Sequence, residues 1–394
     1  MVEDVIHIVL MIIQWVILVY LAFGTLYIFV FATASLFPFK PKKAGCDEFR
    51  KIAVMIPGYK EDAVIAEVAK EALQQDYPRE TYEVIVIADS FKPETLQRLR
   101  NLPVRVVEVS FEQSTKSKAL NKTMSLLPDG LYEIAVILDA DNVMKKDFLI
   151  RINNSYNAGY KAIQGHRLAK NTNTSFAVLD AVSEEINNSI FRKGHRRLGF
   201  SSSLIGSGMA FDYRFFKDLM LTVKAVGGFD KEIELKMLKE GVRIEYLDQA
   251  LVYDEKVQKE EVFVKQRRRW LSAQIHYATY IGDALQTYFR RRNADYLDKA
   301  IQMLLPPRIL LIGLLPIFTV LSFFLNPPVL TLVWAGLLAL LIFTFLFAIP
   351  RKFYNIQTLA AVVSIPKGIL LMILSLASTK GANKKFIHTE HTKL

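Results

Sequence analysis

Asp139 and Asp141 stand two residues apart, just past the apolar run Ile134–Leu138. Two carboxylates at that spacing, leaving a strand, can hold a hard divalent cation through oxygen ligands. Mg2+ is commonly kept by one or two carboxylates plus substrate phosphates, so a diphosphate would complete the shell. Asp-x-Asp alone is common, about one per chain of this length, and a solvated strand end explains an isolated one equally well. Lys116, Lys118 and Lys122 precede that strand on a helical stretch. They make either a solvated basic face or cations facing a phosphate. Asp230, Glu232 and Glu234 open another helix after Gly227-Gly228. They cannot all share one helix face. Either one is left over as a general base, or the acids simply complement the helix dipole. Gln266-Arg267-Arg268-Arg269-Trp270 is the rarest pattern. On a helix, Gln266 shares a face with Arg269 and Trp270. A guanidinium there suits phosphate oxygens, and an indole suits the apolar face of a sugar ring.

The elements that must position these residues alternate. Strands are expected from Ile52, over Tyr82–Asp89, Val104–Val109 and Ile134–Leu138, with helices over Ala63–Gln75, Pro93–Asn101 and Lys116–Leu127. Strand–helix alternation indicates an α/β fold with a mainly parallel sheet. Such sheets bind ligands beyond the carboxyl ends of their strands. Here those ends are Pro57–Glu61, Asp89-Ser90 and Asp139-Ala140-Asp141. Three polar strand ends therefore fall together.

The 394 residues exceed one hydrophobic core, and 52% hydrophobic content excludes a disordered chain. The single cysteine, Cys46, rules out an internal disulfide. A mean hydropathy of +0.22 beside 23% charged residues points to membrane segments joined to a soluble domain. The apolar run Val5–Phe37 carries no lysine or arginine and is long enough to cross a bilayer. Its start is acidic (Glu3, Asp4), and Lys40, Lys42 and Lys43 follow it, so the positive-inside rule puts the N-terminus outside. Ile309–Leu325 and Val329–Ile349 form a hairpin of two spans about Asn326-Pro327-Pro328. The apolar run Ile356–Ala377 has Pro366-Lys367 at its middle and a basic tail after it, which favours an interfacial or re-entrant helix over a fourth crossing. Between the soluble domain and the hairpin, Trp270, Tyr277, Tyr280, Tyr288, Phe289 and Tyr296 mix with Arg290-Arg291-Arg292, a pattern that suits helices lying among headgroups. The +11 net charge is then assigned to lipid headgroups and phosphorylated substrates, with no nucleic acid expected.

Taken in order, these motifs resemble those of membrane-integrated family 2 glycosyltransferases, similar to cellulose, chitin and hyaluronan synthases. Ile52–Glu61 resembles the family's first strand and its loop, with Lys60 where an asparagine is usual. Asp89-Ser90 resembles the nucleoside-contacting acid, and Lys118-Ala119-Leu120-Asn121 the helix whose lysine faces the diphosphate. Asp139-Ala140-Asp141 matches the metal motif, with Asp141 the direct ligand. Ile205-Gly206-Ser207-Gly208-Met209 resembles the stretch near the acceptor. Gln266, Arg269 and Trp270 match QxxRW, and Phe386-Ile387-His388-Thr389 resembles a closing element after the last membrane segment. The family's usual Glu-Asp falls here on Lys231-Glu232, making Glu232 the expected base and Asp230 its rival.

The resemblance implies a GT-A fold, a Rossmann-like cytosolic domain flanked by transmembrane helices. The expected organisation is a transmembrane helix over 1–39, the catalytic domain over 40–262 and the QxxRW and interfacial helices over 263–305. A transmembrane hairpin over 306–349 and an interfacial or re-entrant helix with a basic cytosolic tail over 350–394 complete it. The implied reaction is inverting sugar transfer from a nucleotide-sugar, a UDP-sugar by expectation, to a growing β-linked polysaccharide. A single transfer to a lipid-linked acceptor is the alternative, and a transporter or nucleotide-sensing receptor the reading from another class. The donor would meet Pro57, Tyr59, Glu61, Asp89, Lys118, Asp139, Gln266 and Arg269. The acceptor would meet Gly206, Ser207, Gly208 and Trp270, and Mg2+ or Mn2+ would sit at Asp141 and Asp139. Three crossings are few for a self-contained channel, so an export partner or a homo-oligomer is expected, in a bacterial inner membrane.

Overall fold

The computed structural model describes residues 2–39, 42, 48–225, 227–258, 260–325, 327–367 and 369–370. The basic tail with Phe386–Thr389 lies outside the described residues. The strands are β1 (Ile52–Tyr59), β2 (Tyr82–Asp89), β3 (Arg105–Val109), β4 (Ile134–Ile137), β5 (Val143–Met144), β6 (Ala162–Ala169), β7 (Met209–Asp212) and β8 (Ile244–Asp254). The helices are α1 (Val2–Ser35), α2 (Ile65–Ala72), α3 (Pro93–Arg100), α4 (Lys116–Leu126), α5 (Phe148–Asn157) and α6 (Ser175–Asn187). A π-helical stretch, Asn188–Gly194, continues α6 into α7 (His195–Arg197). Then come α8 (Tyr213–Met220), α9 (Phe229–Lys239), α10 (Glu260–Tyr277), α11 (Ile281–Arg291), α12 (Ala294–Leu304), α13 (Arg308–Leu325), α14 (Pro328–Ala348) and α15 (Ile356–Val362).

The strands form one sheet in the order β3-β2-β1-β4-β7-β6-β8-β5. β3, β2, β1 and β4 run parallel. β7 lies antiparallel between β4 and β6, and β5 antiparallel on β8, while β6 and β8 are parallel. The mainly parallel half is therefore the half with clear strand–helix alternation. Side chains alternate across a strand: Ala53 and Met55 of β1 enter the core under α4, α8 and α9, while Ile52, Val54 and Ile56 enter the core under α2, α3 and α5. Both faces are covered, which is why β1 and β2 read as unbroken apolar runs.

Among the described residues three helices are long and apolar enough to cross a membrane: Ile8–Ser35 within α1, α13 and α14. They share a third apolar core with Val178, Val182 and Ile186 of α6. Two glycines allow the close fit of α1. A Cβ on Gly24 would lie 2.5 Å from Pro306, and one on Gly194 would lie 2.1 Å from the Phe31 carbonyl oxygen. The Phe31 ring stacks on His195 at 3.6 Å. Tyr27 donates to Asp298 at 2.7 Å and stands 2.9 Å from His195 Nε2.

The headgroup expectation for 263–305 needs correction in part. Tyr277 and Tyr296 are buried in the core with α9, where α11 and α12 fold back on the catalytic domain. Tyr296 donates to Asp283 at 2.6 Å. Phe289 and Ile275 are exposed. Aromatic spacing on a helix does not distinguish a lipid-facing ring from one facing a neighbouring helix. α15 packs along α6, with Ala361 in the third core. The remainder of the last apolar run, from 371, is outside the described residues.

Candidate active site

β1 and β2 end in register, Tyr59 opposite Asp89. Both exits are bent by residues with positive φ, Lys60 at 56° and Ser90 at 61°. Neither is glycine, and such backbone strain concentrates at functional sites. The Lys60 amide donates to the Asp89 carbonyl at 3.1 Å, and Ser90 Oγ donates to the Asp89 carboxylate at 3.0 Å. A cavity of about 1660 Å3 opens beside these strand ends. Pro57, Tyr59, Glu61, Asp89, Asp139 and Asp141 line it from the sheet side. Gly206, Asp230, Gln266, Arg269 and Trp270 line it from the facing elements.

Asp141 is buried and held from two sides: Asn142 Nδ2 donates to Oδ1 at 3.1 Å and the Glu255 amide to Oδ2 at 3.0 Å. Asp139 is the partner of Lys116, whose ammonium also donates to the Gly206 carbonyl at 2.7 Å. Among the described residues no three His, Cys, Asp or Glu side chains converge to hold a metal unaided. Two carboxylates with oxygen-only donors fit a hard divalent cation whose shell is completed by diphosphate and water.

Several expected residues lie elsewhere. Lys118 is off the cavity, its ammonium donating to the Gln113 carbonyl at 2.8 Å. Lys116 takes the place facing the site. Both lysines project from the first turn of α4, and sequence spacing alone did not say which one turns inward. Glu232 also needs correction. Its carboxylate accepts from the Ala225 amide at 2.8 Å and the Lys224 amide at 3.2 Å, and pairs with Lys236 at 2.8 Å. It ties down the loop before α9 and does not line the cavity. Asp230 does, with its Cβ and Cγ close to where a Gly206 side chain would start, 3.9 Å away. Ser207 and Gly208 lie behind the wall. Ser207 Oγ accepts from the Asp139 amide at 2.9 Å and donates to Asn142, and the Gly208 carbonyl accepts from the Gly165 amide at 2.8 Å. Neither residue lines the cavity.

α10 brings Gln266, Arg269 and Trp270 to one face, as helical spacing requires. Gln266 Oε1 is buried and has no hydrogen-bond partner among the described residues, an acceptor that a ligand donor would satisfy. Burial lowers the Arg269 pKa, against the opposing pull of Asp139 and Asp230. The Arg267 guanidinium lies 4.4 Å from the Trp270 ring centre and pairs with Asp180 at 2.6 Å. Asp254, Lys256, Arg167, Glu184 and Arg192 form a buried ionic chain below Asp141. Burial opposes the Glu184 charge, but Arg167, Arg192 and Lys256 hold its carboxyl well below the usual range. Asp254-Glu255-Lys256 is a fourth polar strand end, not evident from local alternation because the parallel neighbour of β8 is β6, distant in sequence.

Residues 50–273, more than half of the 394, match the family described as "Glycosyltransferase like family 2". The chain belongs to that family. No curated protein matches this family 2 glycosyltransferase. Among solved structures, it is similar to mannosyltransferase PcManGT from Pyrobaculum calidifontis, solved with GDP-Man and Mn2+. That likeness has 19% identity and a TM-score of 0.53, over 84% of this chain and 97% of that one. S. aureus TarS matches at 18% identity and a TM-score of 0.38, over 59% of this chain and 39% of that one. Glucosyl-3-phosphoglycerate synthase from Mycobacterium tuberculosis matches at 16% identity and 0.39, over 56% and 76%. The GT-A fold expected of a family 2 glycosyltransferase is thus present, with three membrane-length helices around it.

Proposed function

We propose that this glycosyltransferase moves a sugar from a nucleoside-diphosphate sugar to a hydroxyl of a membrane-borne acceptor, inverting the anomeric centre. The observation that supports this is the convergence of Asp139, Asp141, Asp230, Arg269 and Trp270 on one cavity at the carboxyl edge of the sheet. Asp141, with Asp139, would hold Mg2+ or Mn2+, which when bound offsets the negative charge of the diphosphate. Lys116 and Arg269 add fixed positive charge where the diphosphate departs. Asp230 takes the acceptor's hydroxyl proton. The freed oxygen bonds to the anomeric carbon as the bond from that carbon to the diphosphate oxygen breaks. Trp270 offers a face for the acceptor's terminal sugar. An α-linked donor gives a β-linked product.

PcManGT was solved with GDP-Man, so GDP-mannose belongs beside the UDP-sugars as a donor to test. The Gln-x-x-Arg-Trp sequence favours a growing polysaccharide as acceptor. A second reading, a lipid-linked acceptor, is favoured by the cavity's extension past Pro306 between α13 and α14, where most of its walls are aliphatic. Lys42 after α1 and Arg351-Lys352 after α14 favour a cytosolic catalytic domain in a bacterial inner membrane.

Release of nucleoside diphosphate by the purified full chain tests the reading, using a panel of UDP- and GDP-sugars with and without a chelator. One donor should be turned over, the chelator should stop it, and Mn2+ or Mg2+ should restore it. Asp141→Ala with an unchanged melting temperature should be inactive. Full turnover by that variant would end this assignment. A discrete glycolipid on a sizing gel, against a ladder, separates the two acceptors.

A further inference from the structure

A cavity of about 1660 Å3 exceeds what one donor needs, since single-ligand pockets run about 300–1,000 Å3. Its far end lies among the helices long enough to span a membrane. Ile309 and Ile312 of α13, Leu338, Leu341 and Phe345 of α14, and Val362 of α15 line that end. A carbohydrate path would need hydroxyl, amide or aromatic partners. This end offers Phe345 and the Thr358 hydroxyl, and its other walls are aliphatic.

Arg308 stands at the junction of the polar and apolar ends, half-buried and lining the cavity. Among the described residues its hydrogen bonds go to Ser183, at 3.2 Å to the carbonyl and 3.1 Å to the hydroxyl, and it has no carboxylate partner. The carboxylate whose field reaches it is Glu184, and the two Glu184 oxygens are taken by Arg167 and Arg192. Arg267 and Arg192 add further positive charge at Arg308. A guanidinium beside an apolar cavity end, paired with no carboxylate among the described residues, carries a desolvation cost, which an anionic ligand would offset. Contacts also lead from Arg308 towards the reacting end. Ser183 follows Asp180 by one turn of α6, Asp180 holds Arg267, and Arg267 lies over Trp270.

We infer that the acceptor is a lipid-linked phosphate or diphosphate whose anionic linker is recognised by Arg308 and whose hydrocarbon tail lies between α13, α14 and α15. This deepens the proposed function and rests on its lipid-linked reading. The linker at Arg308 fixes how far the lipid can rise, leaving its sugar for Trp270 and Asp230. A neutral glycolipid would leave Arg308 uncompensated, and a free polysaccharide would leave the aliphatic end empty.

The test is equilibrium binding of a radiolabelled polyprenyl phosphate to the purified full chain in detergent, with no donor present. Unlabelled polyprenyl phosphate, the matching polyprenol and inorganic phosphate serve as competitors. The phosphate lipid should compete at least about tenfold better than the alcohol, and inorganic phosphate should not compete. Arg308→Gln should erase that preference and Arg308→Lys should keep most of it. Leu341→Trp, which fills the apolar end, should weaken both lipids alike and keeps the test usable if Arg308→Gln does not fold. An Arg308→Gln protein with undiminished preference for the phosphate lipid would overturn the inference. So would inorganic phosphate competing as well as the lipid. Because no donor is present, either failure leaves nucleotide-sugar turnover standing. Lipid preference without any nucleotide release would remove the catalytic reading alone.

Discussion

Lys116 reaches from the first turn of α4 to pair with Asp139 at the end of β4, closing one wall of the cavity. The same ammonium donates to the Gly206 carbonyl and lies 5.2 Å from the Phe229 ring. A cation is therefore already fixed where a diphosphate would arrive. Lys116→Met should lower kcat/KM for the donor by about 10–100-fold. Lys118→Met, whose ammonium bonds the Gln113 carbonyl instead, should change it by less than about twofold. Initial rates of nucleoside diphosphate release with both variants decide between the two lysines.

Asp230 and Glu232 lie two residues apart, and of the two Asp230 lines the cavity. Asp230→Asn should reduce kcat by about 10^2–10^4-fold at an unchanged melting temperature. Glu232→Ala removes the acceptor of the Lys224 and Ala225 amides and the partner of Lys236. It should cost about 1–3 kcal/mol of stability. Equal loss of kcat in both, without destabilisation of the second, would reverse the assignment.

His166 gives the fold a pH dependence with a defined sign. Burial alone lowers its pKa, but hydrogen bonds and charge from Asp248 and Glu185 push it up to about 9 from an ordinary 6.5. The folded state then binds the proton more tightly than the unfolded state. Its stabilisation is complete below pH 6.5 and is lost as pH rises through 9. Stability should fall by about 3 kcal/mol across that window from this group. Melting curves of the wild type and His166→Gln measure it: the variant should show a flatter slope, and an identical slope would assign the dependence elsewhere.

Gly194→Ala should destabilise the chain by about 3 kcal/mol. The added Cβ would fall 2.1 Å from the Phe31 carbonyl oxygen, so α1 has to move. Thermal unfolding in detergent reads the loss. Gly159→Ala, with open space around the new Cβ but φ at +98°, separates crowding from backbone strain, since it should cost less and leave α1 in place.

The legible part of the sequence was its first half. β1 through β4 each follow or precede a helix of matching period, and Asp89, Asp139 and Asp141 ended those strands visibly. β6, β7 and β8 were not legible, because β7 enters antiparallel between β4 and β6 and no local alternation announces that. The site was legible by residue type and not by direction. Arg269 and Trp270 are fixed by helix geometry once α10 exists. Lys116 and Asp230 depend on which way α4 and α9 are rolled against the sheet, which is set by contacts distant in sequence such as Lys116 with Gly206. Arg308 showed no pattern at all, since its significance comes from Ser183 and Glu184, more than a hundred residues earlier.

Phe31 seated against the His195 ring, with Tyr27 bonded to Asp298, makes α1 a piece of the catalytic domain's wall. Cutting the chain ahead of Phe49 would remove the ring stacked on His195, leave the notch at Gly194 open to water and take one of the donors to Asp298. Dissection at the boundary between membrane and enzyme would thus yield an incomplete unit. Residues 194, 195 and 298, far apart in sequence, are thus brought to one face by a helix that a soluble fragment would lack.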